Sequence, residues 1–156
     1  MKLYKNISEP KAILEKWQNI LRLKDWDIKI YEVNQEWRKS GDIKIDLEDR
    51  NAILMLNCFN PKNNNLEALI VHELLHVKLY GLDQMTEQLF NLIYGEDGDD
   101  PKYEFAITRF MILLETTVED LAKSFLSLGG EKKSADFGRI EKQVEDEMKQ
   151  AKTKIN

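Results

Sequence analysis

His72 and His76 are the only histidines in a chain of 156 residues, and they stand four positions apart in the stretch LIVHELLHVKLY. On an α-helix that spacing places two side chains on one face, about 6 Å apart and one turn removed. Two imidazoles so placed can converge on a single metal ion at about 2.0–2.1 Å. Glu73 follows the first histidine. It points about 100° round the helix, where it can reach a water held by the ion without ligating the ion itself. The residues spell HExxH, the arrangement in which Zn²⁺ acidifies a water and the glutamate acts as general base and proton shuttle.

By chance the two histidines and the glutamate would fall this way in on the order of one chain in 800, so context has to decide. Leu69, Ile70, Val71, Leu74, Leu75, Val77 and Leu79 make the helix apolar nearly all round, as in one buried at the base of a cleft. Two core histidines held only by hydrogen bonds would have to bury Glu73 beside them with no evident partner.

Catalytic zinc sites usually hold three protein ligands and a water. No third histidine exists, and Cys58 precedes the helix on an expected strand, where a small buried residue is the reading. A carboxylate is therefore the expected third ligand. Glu115 interrupts the apolar run Phe110 to Leu114, and a carboxylate in such a run is expected to be partly buried, hence paired or metal-bound. Glu119 lies one turn further on nearly the same face and could accept the second N–H of a ligating imidazole. Glu115 is the expected ligand and Glu119 the supporting acid, with Glu119 or Glu104 the alternative ligands.

HELLH followed by a helix bearing ExxxE resembles the gluzincin branch of zinc metallopeptidases, in which a downstream glutamate completes the metal site. The small size and the order of elements are similar to minimal single-domain gluzincins and to phage or prophage metallopeptidases. The likeness spans residues 26–122 and rests on His72, Glu73, His76, Glu115 and Glu119. Leu79 and Leu82 stand where the extended HExxHxxGxxH pattern needs Gly and His, which excludes the metzincin type. Lys78 departs from a position that is usually hydrophobic, and no tyrosine or histidine can be assigned to the oxyanion. The resemblance implies a zincin-like fold, bound Zn²⁺ and hydrolysis of a peptide or protein substrate. Two alternatives come with it. One is a non-catalytic zinc-binding interaction protein. The other is a single-target regulatory protease resembling the ImmA/IrrE type.

The elements that must position these residues follow from periodicity. Ser8 and Pro10 suit the start of a helix whose apolar face carries Ile13, Leu14, Trp17, Ile20 and Leu21. WDIKIYEV (26–33) and DIKIDLED (42–49) alternate as half-buried strands, and AILMLNCF (52–59) reads as a more central strand in a hairpin with its predecessor. A helix over 65–80, ended by Gly81, carries the histidines. A short helix at 84–94, an acidic loop GEDGDD (95–100) and a long helix at 102–127 follow. The expected architecture is α+β. A first helix and a small, mostly antiparallel three-stranded sheet pack on the HExxH helix, and a helical C-terminal half delivers Glu115. Residues 1–128 form one domain. Residues 129–156 form its charged helical tail, with Phe137, Ile140, Val144 and Met148 on one face.

Hydrophobic residues make up 42% of the chain and support a packed core; the net charge is −5. No basic stripe favours nucleic acid, no apolar run reaches the roughly 20 residues that span a bilayer, and the first ten residues lack an apolar leader segment. One cysteine allows no internal disulfide. Cytoplasmic residence is the expectation, with no nucleic-acid or membrane partner.

Overall fold

The structure, a computed structural model, describes residues 8–63, 65–95, 98–131 and 138–153. Its elements are α1 (Ser8–Ile20), β1 (Asp27–Val33), β2 (Gly41–Asp46), β3 (Asn51–Asn57), α2 (Leu66–Tyr94), α3 (Pro101–Gly129) and α4 (Gly138–Thr153). The architecture is α+β with most residues helical. Phe137 and the loop positions Glu96 and Asp97 lie outside the described residues. No helix among the described residues is long and apolar enough to cross a membrane.

The sheet is mixed, with strand order β1-β3-β2. β3 pairs antiparallel with β2, as the hairpin reading requires, but runs parallel to β1. The mostly antiparallel expectation is corrected here. Alternation tells which face of a strand is buried and leaves its partner open. β3 is the most apolar strand and takes the middle, leaving β1 and β2 at the edges. Ile30, Leu54 and Ile43 form one row across the sheet, and Ile28, Ala52 and Ile45 the next. Both rows face the helices. The other face leaves Tyr31 and Ile53 exposed.

One core joins the sheet to α1, α2 and α3, with Trp17, Leu54, Leu56, Ile70, Leu74 and Val118 fully buried. Beside it the loop before β2 is pinned by Asn57, itself fully buried. The Asn57 amide donates to the carbonyls of Lys39 at 2.8 Å and Trp37 at 3.1 Å, and its oxygen accepts from the N–H groups of Asn60 and Phe59. Ser40 Oγ accepts from the N–H groups of Lys62 and Asn63. These bonds satisfy loop backbone groups and fix where β2 begins.

α2 starts at an Asn65 cap, whose side chain accepts from the N–H of Ala68 at 3.1 Å. It then runs without interruption through Gly81, so the expected break there is corrected. A helix-ending glycine adopts a positive φ, and Gly81 does not. Glycine inside a helix costs about 1 kcal/mol relative to alanine, which the Leu, Gln and Met residues that follow readily offset.

Glu67 ties three helices together. Its Oε1 accepts from Lys16 at 2.7 Å and from the Trp17 indole at 2.8 Å, and its Oε2 accepts from the N–H of Glu131, just past the end of α3. Burial alone would raise its pKa, but these three hydrogen bonds outweigh it and hold the carboxyl below its ordinary range.

Candidate metal centre

The first half of α2 is the centre of the core: Leu66, Leu69, Ile70, Val71, Leu74, Leu75 and Val77 are all buried. His72 and His76 occupy the side turned to α3, where each keeps a minor part of its ring in solvent. α3 buries Leu114, Val118, Ala122 and Leu126 at four-residue intervals. Glu115 and Glu119, one position after the first two of these, stand at the edge of that interface. Glu115 is 53% exposed, against the expectation of partial burial. The apolar run it interrupts is itself half in solvent, with Met111, Ile112 and Leu113 exposed, so the interruption did not signal burial.

The donor atoms of three residues converge. His72 Nε2 lies 3.3 Å from His76 Nε2, and Glu115 places Oε2 at 3.4 Å from the first and Oε1 at 3.3 Å from the second. Ligands at about 2.0–2.1 Å from a tetrahedral ion are separated by roughly 3.3–3.4 Å, which the spacing of the two imidazole nitrogens matches, while the Glu115 carboxylate straddles the face that this pair presents, one oxygen toward each ring. Two imidazoles and one carboxylate are also a donor set that suits zinc. The donor chemistry fits zinc, and with one ligand atom from each residue lying within 4.8 Å of the others, His72, His76 and Glu115 could hold one ion.

Behind this face Glu119 Oε2 lies 3.0 Å from His72 Nδ1. Nδ1 is the ring nitrogen turned to Glu119 and so donates to that carboxylate, which leaves Nε2, once it has given up its own proton, to offer a lone pair to an ion. The charges agree. Burial alone would lower the pKa of His72, but hydrogen bonds to Glu115 and Glu119 and the charge of Glu73 outweigh it and raise the value. Burial, with the charge of His72 beside it, lowers His76. The hydrogen bond from His72 holds Glu115 below the usual carboxylate range.

Glu73 is buried, and no hydrogen bond or ion pair among the described residues holds its carboxylate. Burial, with the negative charges of Asp42 and Glu115 nearby, pushes its pKa up to about 7. An unpaired carboxyl in an apolar wall beside three metal-type donors can exchange a proton near neutral pH.

No family model, curated protein or solved structure matches this chain. The site therefore has to be read from its own geometry.

Of the sequence candidates, the structure brings His72, Glu73, His76, Glu115 and Glu119 together. Glu104 is left out, eleven positions before Glu115 on the same helix, with its side chain on Thr108. Cys58 stays away from the group: it is buried, its thiol pushed up by burial and donating weakly to the Leu56 carbonyl. Three further residues were not anticipated. Asp42 in β2 and Lys39 just before it form an ion pair at 3.2 Å, and both charges reach Glu73. Lys39 also lowers Glu115. Asp83, seven residues after His76 on α2, has a carboxylate oxygen buried without a hydrogen-bond partner and acts electrostatically on His76. Its signal was the helical spacing from His76, hidden by reading Gly81 as a stop.

Proposed function

We propose that the chain is a zinc-dependent peptidase of gluzincin type, with His72, His76 and Glu115 as ligands, Glu119 orienting His72, and Glu73 as general base. The observation that carries this reading is the convergence of both imidazole Nε2 atoms, 3.3 Å apart, on the Glu115 carboxylate, which turns one oxygen to each ring.

An ion held there would supply a Lewis acid for a scissile carbonyl and lower the pKa of a water. Glu73 takes a proton from the attacking water as its oxygen bonds to the carbonyl carbon. The same carboxyl then delivers that proton to the amine nitrogen as the C–N bond breaks. A group with a pKa of about 7 suits both transfers. Glu119 holds His72 in one tautomer throughout, so the ligand does not reorient between steps.

Among the described residues β2 pairs with β3 alone, so its outer edge carries no strand there. Lys39, just before β2, and Asp42 within it stand close enough to act on Glu73. An extended peptide added to this edge would run past the general base, with main-chain hydrogen bonds fixing its register.

The test is Glu73→Gln, assayed by mass spectrometry on an unbiased peptide library with zinc-loaded chain. The variant is expected to bind zinc as the unaltered chain does and to lose at least about 10²–10⁴-fold in cleavage rate. Cleavage at an unchanged rate removes Glu73 from the mechanism.

A further inference from the structure

No residue of α2 after Val77, and none of α3 before Leu114, is buried among the described residues. The two helices thus run on beyond the core as a bare hairpin. On α2 the side turned to α3 is filled: His72 and His76 stand there, and Phe90 further along packs against Phe110 at 6.0 Å and against Tyr94. The opposite side carries Val71, Leu74 and Leu75, buried in the core, and then continues past Lys78 as Leu82, Met85, Leu89 and Leu92. These four are 66%, 62%, 43% and 83% exposed. Their spacing of three, four and three residues is that of a coiled-coil seam, which needs a second helix against it.

We propose that the occupant of this seam is the same seam of a second copy of the chain, packed antiparallel about a two-fold axis beside residue 87. The spacing is palindromic about that position, so the axis sets Leu82 against Leu92 and Met85 against Leu89 of the other copy. An interface about a two-fold must complement itself in this way. The charge pattern favours a copy over a charged partner. Between residues 79 and 95 the only charged residues are Asp83 and Glu87. Both are turned from the seam: Asp83 acts on His76 and Glu115, and Glu87 is hydrogen-bonded to Asp83. The seam is flanked instead by Gln84, Thr86 and Gln88, which bring no like charges together. The four side chains, with exposed Ile93 beside them, bare on the order of 500 Å² of apolar surface. That is more than half of the roughly 800 Å² that each partner buries in a standard interface, and the flanking turns supply the rest.

The association is tested by sedimentation velocity on the full chain, from about 1 to 100 µM, with helicity followed by circular dichroism. The expected species has twice the 18.3 kDa mass of one chain. Leu82→Glu is expected to raise the dissociation constant roughly 100-fold or more without loss of helicity. Adding Leu92→Lys to that variant sets opposite charges face to face across the axis and is expected to restore the dimer. A chain that stays at its single mass at 100 µM overturns the proposal, as does a dimer that survives Leu82→Glu. Paired charges that fail to restore association overturn the antiparallel register.

Discussion

His72 and Glu119 meet at 3.0 Å across 47 residues of sequence, with the imidazole donating from Nδ1. Glu119 is half exposed and shared with Lys123, so its contribution is orientation of a ring rather than a stable ion pair. Glu119→Ala is expected to weaken zinc binding about 10–100-fold. Glu115→Ala, which removes the carboxylate that faces both imidazoles, is expected to weaken it further. Competition against a chelator of known affinity gives both numbers, and the reverse order would exchange the two roles.

Protons compete with metal at this site. The pKa of His72 is raised, so its protonated form persists to higher pH than that of a free imidazole. The sign follows directly: zinc affinity falls as pH drops through the raised value, by about tenfold per unit for each proton displaced. His76 is lowered and enters the competition only at more acid pH. Zinc titrations at pH 7.5, 6.5 and 5.5, corrected for the chelator, should show this decline, and an affinity that does not change with pH contradicts it.

Glu67 offers a separate prediction on stability. Its folded pKa lies below the unfolded value near 4.5, so its contribution is present above that value and is lost as pH falls through the folded one. Glu67→Gln keeps the shape but removes the charge that Lys16 and the Trp17 indole share. A loss of about 1–3 kcal/mol at pH 7 is expected in denaturant unfolding, shrinking toward zero at acid pH. A loss equally large at pH 3 would show that the charge is irrelevant.

At Gly41 an added Cβ would sit 2.8 Å from Leu69 Cδ1. Gly41→Ala is therefore expected to cost about 1–3 kcal/mol through displacement of Leu69 or of the start of β2. The denaturant midpoint measures it, and an unshifted midpoint would mean that Leu69 rotates away freely.

Much of this arrangement is legible in the sequence because its strongest signals are local. Both imidazoles and Glu73 sit on one helix, and the 3.6-residue period alone fixes their relation. Ile43 and Ile45 alternate clearly enough to give β2 its buried face. Non-local relations are a different matter. Nothing in DIKIYEV says that it lies parallel to β3, because partner choice is decided by the whole sheet. Gly81 reads as a stop in isolation, yet the turns on either side hold the helix, and that reading conceals Asp83. Glu67 resembles any first-turn acid, and its partners Lys16, Trp17 and Glu131 are at least 50 positions away.

The most direct test is X-ray absorption at the zinc edge on chain loaded with one equivalent of metal. The account predicts a first shell of nitrogen and oxygen alone at about 2.0–2.1 Å, with the outer-shell pattern of two imidazoles. Sulfur at about 2.3 Å, or an oxygen shell with no imidazole, would contradict it.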